Sequence, residues 1–173
     1  MERNVRNLPW LGARRVDLGG RDYRTHESGA AVSATPQASD VRRKVLELYA
    51  DADREVAAAG PICIASGRCC RFKEHGHTLF VSNLEAEVLL DAAPAYETPV
   101  SADFCPFQKE LLCTAREPRP LGCRVYYCDP NYQERSHEIT EKYLGKLKEL
   151  AEQHDIAWQY APLHVFLNQG TAK

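Results

Sequence analysis

The sequence has no excess of either charge, with Lys and Arg together numbering 22 against 24 for Asp and Glu. That balance gives no general pull toward phosphate backbones or anionic bilayers, and it disfavours a nucleic-acid coat or scaffold. No stretch approaches the roughly 18 consecutive apolar residues of a spanning helix, and MERNVRNLPWLGARRVDLGG lacks the apolar run of a signal peptide. A cytoplasmic protein without membrane contact is therefore expected. Glycine-rich dinucleotide and phosphate loops, HExxH, the radical-type CxxxCxxC and internal repeats are all missing. Cysteine is absent from residues 1–62 and again from 129–173.

The seven cysteines, Cys63, Cys69, Cys70, Cys105, Cys113, Cys123 and Cys128, thus crowd into 66 residues, beside a single methionine in the whole chain. In a reducing compartment, clustered thiols point to metal ligation or redox chemistry before structural disulfides, and an odd number leaves one thiol over.

Residues 1–39 combine Arg, Gly and the tract ESGAAVSATPQAS without sustained periodicity, which predicts a disordered arm. Six Arg against four acidic residues in the first 36 are too faint a bias to argue nucleic-acid binding through that arm. The remainder, 40–173, reads as one domain. From Asp40 the positions Val41, Val45, Leu48, Ala52 and Val56 follow helical spacing up to Gly60 and Pro61. Asp51, Asp53 and Glu55 on that helix read as a solvated face. Residues 61–77 carry no period, so something other than apolar burial is expected to order them, and a metal would do so.

Thr78–Val81 is a strand candidate, and Ser82 with Glu85 has capping-box spacing for a helix over 83–92. Phe104–Phe107 and Glu110–Thr114 around a polar QK pair suggest a hairpin with one cysteine on each arm. A brief helical turn is expected at Leu121, a long helix over 132–153 with Gly145 as its weak point, and an extended tail from Ile156 to Leu167. The fold class expected is a helix-dominated α+β domain, with two long amphipathic helices and a hairpin around a small cysteine-rich, metal-centred core.

Tetrahedral zinc needs four donors about 2.3 Å from the ion, and iron or iron-sulfur centres accept the same thiolates. Adjacent Cys69 and Cys70 are expected to face different ions, or one to ligate while the other packs, because consecutive side chains of extended backbone point to opposite sides. Seven thiolates around one divalent cation would leave a charge of minus five, a load that a second ion or a cluster relieves. Arg68, Arg71, Arg116, Arg119 and Arg124 all lie within four residues of a cysteine, where they can donate to sulfur or simply be solvated or paired with Glu74 and Glu117.

CIASGRCC at 63–70, the later CPF at Cys105, Cys113, and RPLGCRVYYC ending on Cys128 resemble the YkgJ-type cysteine cluster family, a zinc- or iron-chelating domain with a CxxCxxCC signature. The resemblance spans about residues 60–130. It implies that the cysteines hold zinc or iron, and it implies no defined reaction, since the family's activity is largely unassigned. Ser66 stands where the signature has its second cysteine, and a hydroxyl is a poor ligand at neutral pH. Water, His75 or His77 are the candidates to fill that position, unless no ligand is needed there. The leading expectation is a metal-binding protein. The alternative is an iron or iron-sulfur enzyme or redox protein with an open coordination position near Ser66, where Glu74, His75 and His77 are the nearest acid-base groups in sequence. A third reading is an interaction module whose metal merely folds the core.

Overall fold

The computed structural model describes residues 36–170. The expected arm lies outside these residues as far as 35, whereas 36–39 already belong to the first helix, α1 (Pro36–Ala59). The helix therefore begins a turn before the expected Asp40. Proline is tolerated in a first turn because its missing N–H would have no partner there. Asp40 does not cap; it pairs with Arg43 and Lys44 inside the helix.

The apolar face of α1 buries Val41, Val45, Tyr49, Ala52 and Val56. It packs against the second long helix, α4 (Gln133–Gln153), whose buried residues are Ile139, Tyr143, Leu147, Leu150 and Ala151. Each large side chain fully removed from water here contributes roughly 1.5–3 kcal/mol. Two of the three acidic residues expected on a solvated face of α1 are engaged with other elements, while Asp51 pairs with exposed Arg54 within the helix. Asp53 binds the buried Arg124 at 2.5 Å, and Glu55 meets Lys142, Arg135 and the Tyr143 hydroxyl, so they clip α1 to its neighbours.

A short strand, β1 (Phe80–Ser82), runs into α2 (Asn83–Ala92) through the capping box expected from the sequence. The Ser82 side chain accepts the Glu85 N–H and the Glu85 carboxylate accepts the Ser82 N–H. The strand starts two residues later than expected because its pairing is set from outside. It pairs antiparallel with the strand Tyr160–Pro162, register Val81 to Ala161. That strand becomes β4, and Leu163–Gln169 then forms the helix α5, so the tail is only briefly extended. Leu163, Phe166 and Leu167 of α5 bury against α2, a helical spacing too short to stand out in sequence.

The hairpin comprises β2 (Gln108–Lys109) and β3 (Leu112–Cys113), with Glu110 and Leu111 as its two-residue turn. The QK pair is thus an arm and not the turn. The left-handed conformation needed falls on Glu110 at φ 55°, with no glycine to announce it. The helical turn α3 (Leu121–Val125) forms where expected. The described residues make a helix-dominated α+β fold.

Two predictions follow from the helix surfaces. Gly145 is exposed in α4 and a methyl group added there meets nothing within 4 Å, so Gly145→Ala should stabilise the domain by about 0.5–1 kcal/mol, read as a higher urea midpoint at unchanged slope. On α2, half-buried Glu87 has its carboxyl raised to about 7, by burial first and then by Asp91. A raised folded pKa means stability that is fully present below the unfolded carboxylate pKa and lost as pH rises through about 7. Glu87→Gln should flatten the stability profile across that window, by less than about 1 kcal/mol given the solvent screening.

Candidate metal centre

The cysteines meet beside a second core. Cys70, Phe72, Val81, Ala86, Leu89, Cys105, Phe107, Ala115 and α5 residues form one apolar cluster, against which Cys69 and Cys113 pack. Residues 61–77 are therefore held in part by apolar burial, through Phe72, contrary to expectation. Phe72 has no apolar residue at helical or strand spacing to betray it. Backbone bonds complete the frame: the Cys105 N–H donates to the Cys70 carbonyl at 2.8 Å and the Lys73 N–H to the Asp103 carbonyl at 3.0 Å.

Gly67 opens the turn that carries the vicinal pair. It is buried at φ 70°, and its carbonyl accepts the Gln108 side-chain N–H at 3.1 Å, joining the 63–70 loop to the hairpin. Arg68–Cys70 then form a 3₁₀ turn, not extended backbone, and this overturns the separation expected for the two cysteines. Their sulfurs lie 3.8 Å apart. That is roughly the edge of a tetrahedron built on 2.3 Å metal–sulfur bonds.

Five thiols, Cys69, Cys70, Cys105, Cys113 and Cys123, line a cavity of about 40 Å³ floored by Leu89, Phe107 and Leu163. A second, outer cavity of about 130 Å³ holds Cys63, Ser66 and Cys128 and shares Cys69, Cys113, Cys123 and Arg119 with the first. All seven cysteines, the whole set expected as ligands, thus face one or both of two adjoining spaces. Each is a free thiol, Cys63 being exposed and Cys70 and Cys105 buried. Among the described residues, no three His, Cys, Asp or Glu side chains already stand at ligating positions around one point. One tetrahedral edge is preformed, and the remaining sulfurs line the space around it. The soft donor set suits zinc or iron, and the small inner cavity suits an ion rather than an organic ligand.

Three of the inner thiols, Cys69, Cys70 and Cys123, resist ionising. Hydrogen bonding to Cys70, then burial, raises Cys69; hydrogen bonding to Cys105 leads in pushing Cys70 up to about 12; burial raises Cys123. Arg119 opposes this at Cys69 and Cys123 without overcoming it. Its Nε is enclosed with no hydrogen-bond partner. Arg68 and Arg116 line the outer cavity, whereas Arg71 and Arg124 are engaged elsewhere. Arg71 binds Glu74 at 3.0 Å and the Ser66 carbonyl at 2.7 Å. Arg124 binds Asp53, donates to the carbonyls of Arg119 and Glu117, and covers the Tyr49 ring at 4.3 Å, so it holds the 117–119 segment in place.

Ser66 does face the thiols, its Oγ being 3.5 Å from Cys128 Sγ. The two histidines considered for the vacant ligand position line neither cavity. His77 stacks on Tyr126 at 5.4 Å and meets the edge of Phe72, while His75 and Glu74 lie 3.5 Å apart outside both spaces. Arg119 lines both cavities, in keeping with its place among the arginines expected near sulfur, whereas Tyr126 and Tyr127 line the outer one unannounced, although RPLGCRVYYC places both within two residues of Cys128. No family model matches the chain, and neither does any curated protein or solved structure.

Replacing Gly67 tests the frame. An added Cβ would press on the Gln108 side chain and lie 3.3 Å from Leu111 Cα, at a positive φ that side chains disfavour. Gly67→Ala should cost about 1–3 kcal/mol in urea unfolding and raise amide exchange in the hairpin.

Proposed function

We propose that this is a metal-binding protein of the cysteine-cluster kind, in which thiolates hold zinc or iron in a site built into a preformed apolar frame. The observation that carries this reading is the convergence of Cys69, Cys70, Cys105, Cys113 and Cys123 on one small cavity, with the Cys69–Cys70 edge already at 3.8 Å. Zinc there would be structural or stored; iron would bring redox capacity. The chain's own part is to gather the sulfurs, exclude bulk water with Phe107 and Leu163, and keep cationic Arg119 beside developing thiolate charge. Reduced, clustered thiols suit a cytoplasmic setting. The partner is then a metal ion, and no helix of the described residues is long and apolar enough to cross a membrane.

A second reading, an iron or iron-sulfur enzyme or redox protein, is favoured by one observation. Ser66 sits beside Cys128 in the wider outer cavity, where a weak ligand leaves room for an exchangeable one.

Mass-spectrometric metal analysis of protein purified without air or affinity-tag metals, with an absorption spectrum of the same sample, separates the readings. Zinc without a visible band supports the first, and iron with sulfide and a broad visible band supports the second. Removing the metal with a strong chelator should raise amide exchange in 61–77 and 105–128 while α1 and α4 stay protected. A chain that carries no metal and takes up none under reducing conditions would sink both readings.

A further inference from the structure

The two cavities divide the thiols unevenly. Cys70 and Cys105 line only the inner space, Cys63 and Cys128 only the outer one, and Cys69, Cys113 and Cys123 line both. Two separate tetrahedra need eight corners, but two that share one corner need seven, the number of cysteines in the chain. We propose that the seven cysteines hold two divalent cations as a corner-sharing pair. The inner ion takes Cys70 and Cys105, the outer ion Cys63 and Cys128, and among the three shared thiols one bridges both ions while each ion takes one of the other two. Ser66 is then no defect in the site. Its hydroxyl lies 3.5 Å from Cys128 Sγ, where it donates a hydrogen bond to an outer thiolate and need not ligate.

Charge supports the same count. Seven thiolates with two divalent cations carry a net charge of minus three. Arg68, Arg116 and Arg119 line the outer cavity, and among the described residues no carboxylate lies within ion-pairing distance of any of them. Three unpaired guanidiniums therefore offset that charge where the shared sulfurs and the outer ion lie. One cation held by four thiolates would carry only minus two and leave one of the three guanidiniums unmatched.

This inference rests on the metal-binding reading, and its test keeps the two apart. The full chain, demetallated under reducing conditions, is titrated with cobalt(II) as a spectroscopic stand-in. Sulfur-to-cobalt charge-transfer absorption should saturate at two equivalents. The high-spin paramagnetic resonance signal should rise with the first equivalent and fall with the second, as the shared thiolate couples the two spins. Cys63→Ser removes an exposed ligand of the outer ion alone, so it should keep the native circular dichroism, bind one equivalent and show no coupling. Ser66→Cys supplies an eighth thiolate, so it should still bind two equivalents but with the resonance signal undiminished. Saturation of the natural chain at one equivalent would overturn the pair and leave the metal-binding reading intact. Two equivalents with an uncoupled signal would overturn the shared corner. An absence of charge-transfer absorption would remove both readings together.

Discussion

The Glu85 carboxylate is the point through which the helices that carry the site are joined. It is 2% exposed, and an unpaired charge at that depth would cost several kcal/mol. Burial raises its pKa, and the donors around it pull the other way. The Ser82 N–H and hydroxyl each donate at 2.8 Å, and so does the backbone N–H of Leu121, with the Tyr49 hydroxyl at 3.5 Å. One side chain thereby caps α2, receives the first turn of α3 and touches α1. Cys123 and Arg124 ride on α3, so the inner thiol cavity inherits its position from a carboxylate that does not line it.

Arg124 extends this frame. It is 7% exposed, with Asp53 on one side, the Tyr49 ring beneath it and the carbonyls of Glu117 and Arg119 beyond. A guanidinium suits that place because it satisfies several acceptors at once and stacks on an aromatic face. Sequence proximity to Cys123 suggested a sulfur partner, but the side chain serves the scaffold, and Arg119 next to it faces the thiols instead. The distinction depends on which way a short helix points, and charge spacing does not encode it.

The elements legible in the sequence were those with local causes. The α2 capping box, the α3 turn and the 133–153 helix all depend on residues within a few positions of one another. What stayed hidden has non-local causes. Leu121 lies 36 residues from Glu85, and the β1 register comes from a strand eighty residues on. The conformation of the vicinal cysteines turned on Gly67, whose left-handed backbone starts a 3₁₀ turn and brings together two sulfurs that extended backbone would separate. The convergence of the cysteines could be suspected from their clustering. Their division between two adjoining cavities could not, since it depends on how the hairpin and α3 face the 63–70 loop.

A frame of this kind changes what metal binding has to achieve. In the smallest zinc modules the ion supplies most of the folding free energy, because no apolar core exists without it. Here α1 and α4 bury a core of their own, and Phe72, Phe107 and Leu163 close a second one around Cys70 and Cys105. Much of the ordering entropy of the inner thiols is thus met by packing before any ion arrives. Cys63 differs, being exposed on a loop between Ile62 and Ile64, which are themselves 67% and 62% exposed. Under the metal-binding reading, an inner ion enters a site that is nearly arranged, while an outer ion must also order the 61–66 loop. On that reading the inner position is the tighter of the two, and the outer one is where exchange with solvent or a ligand would take place first.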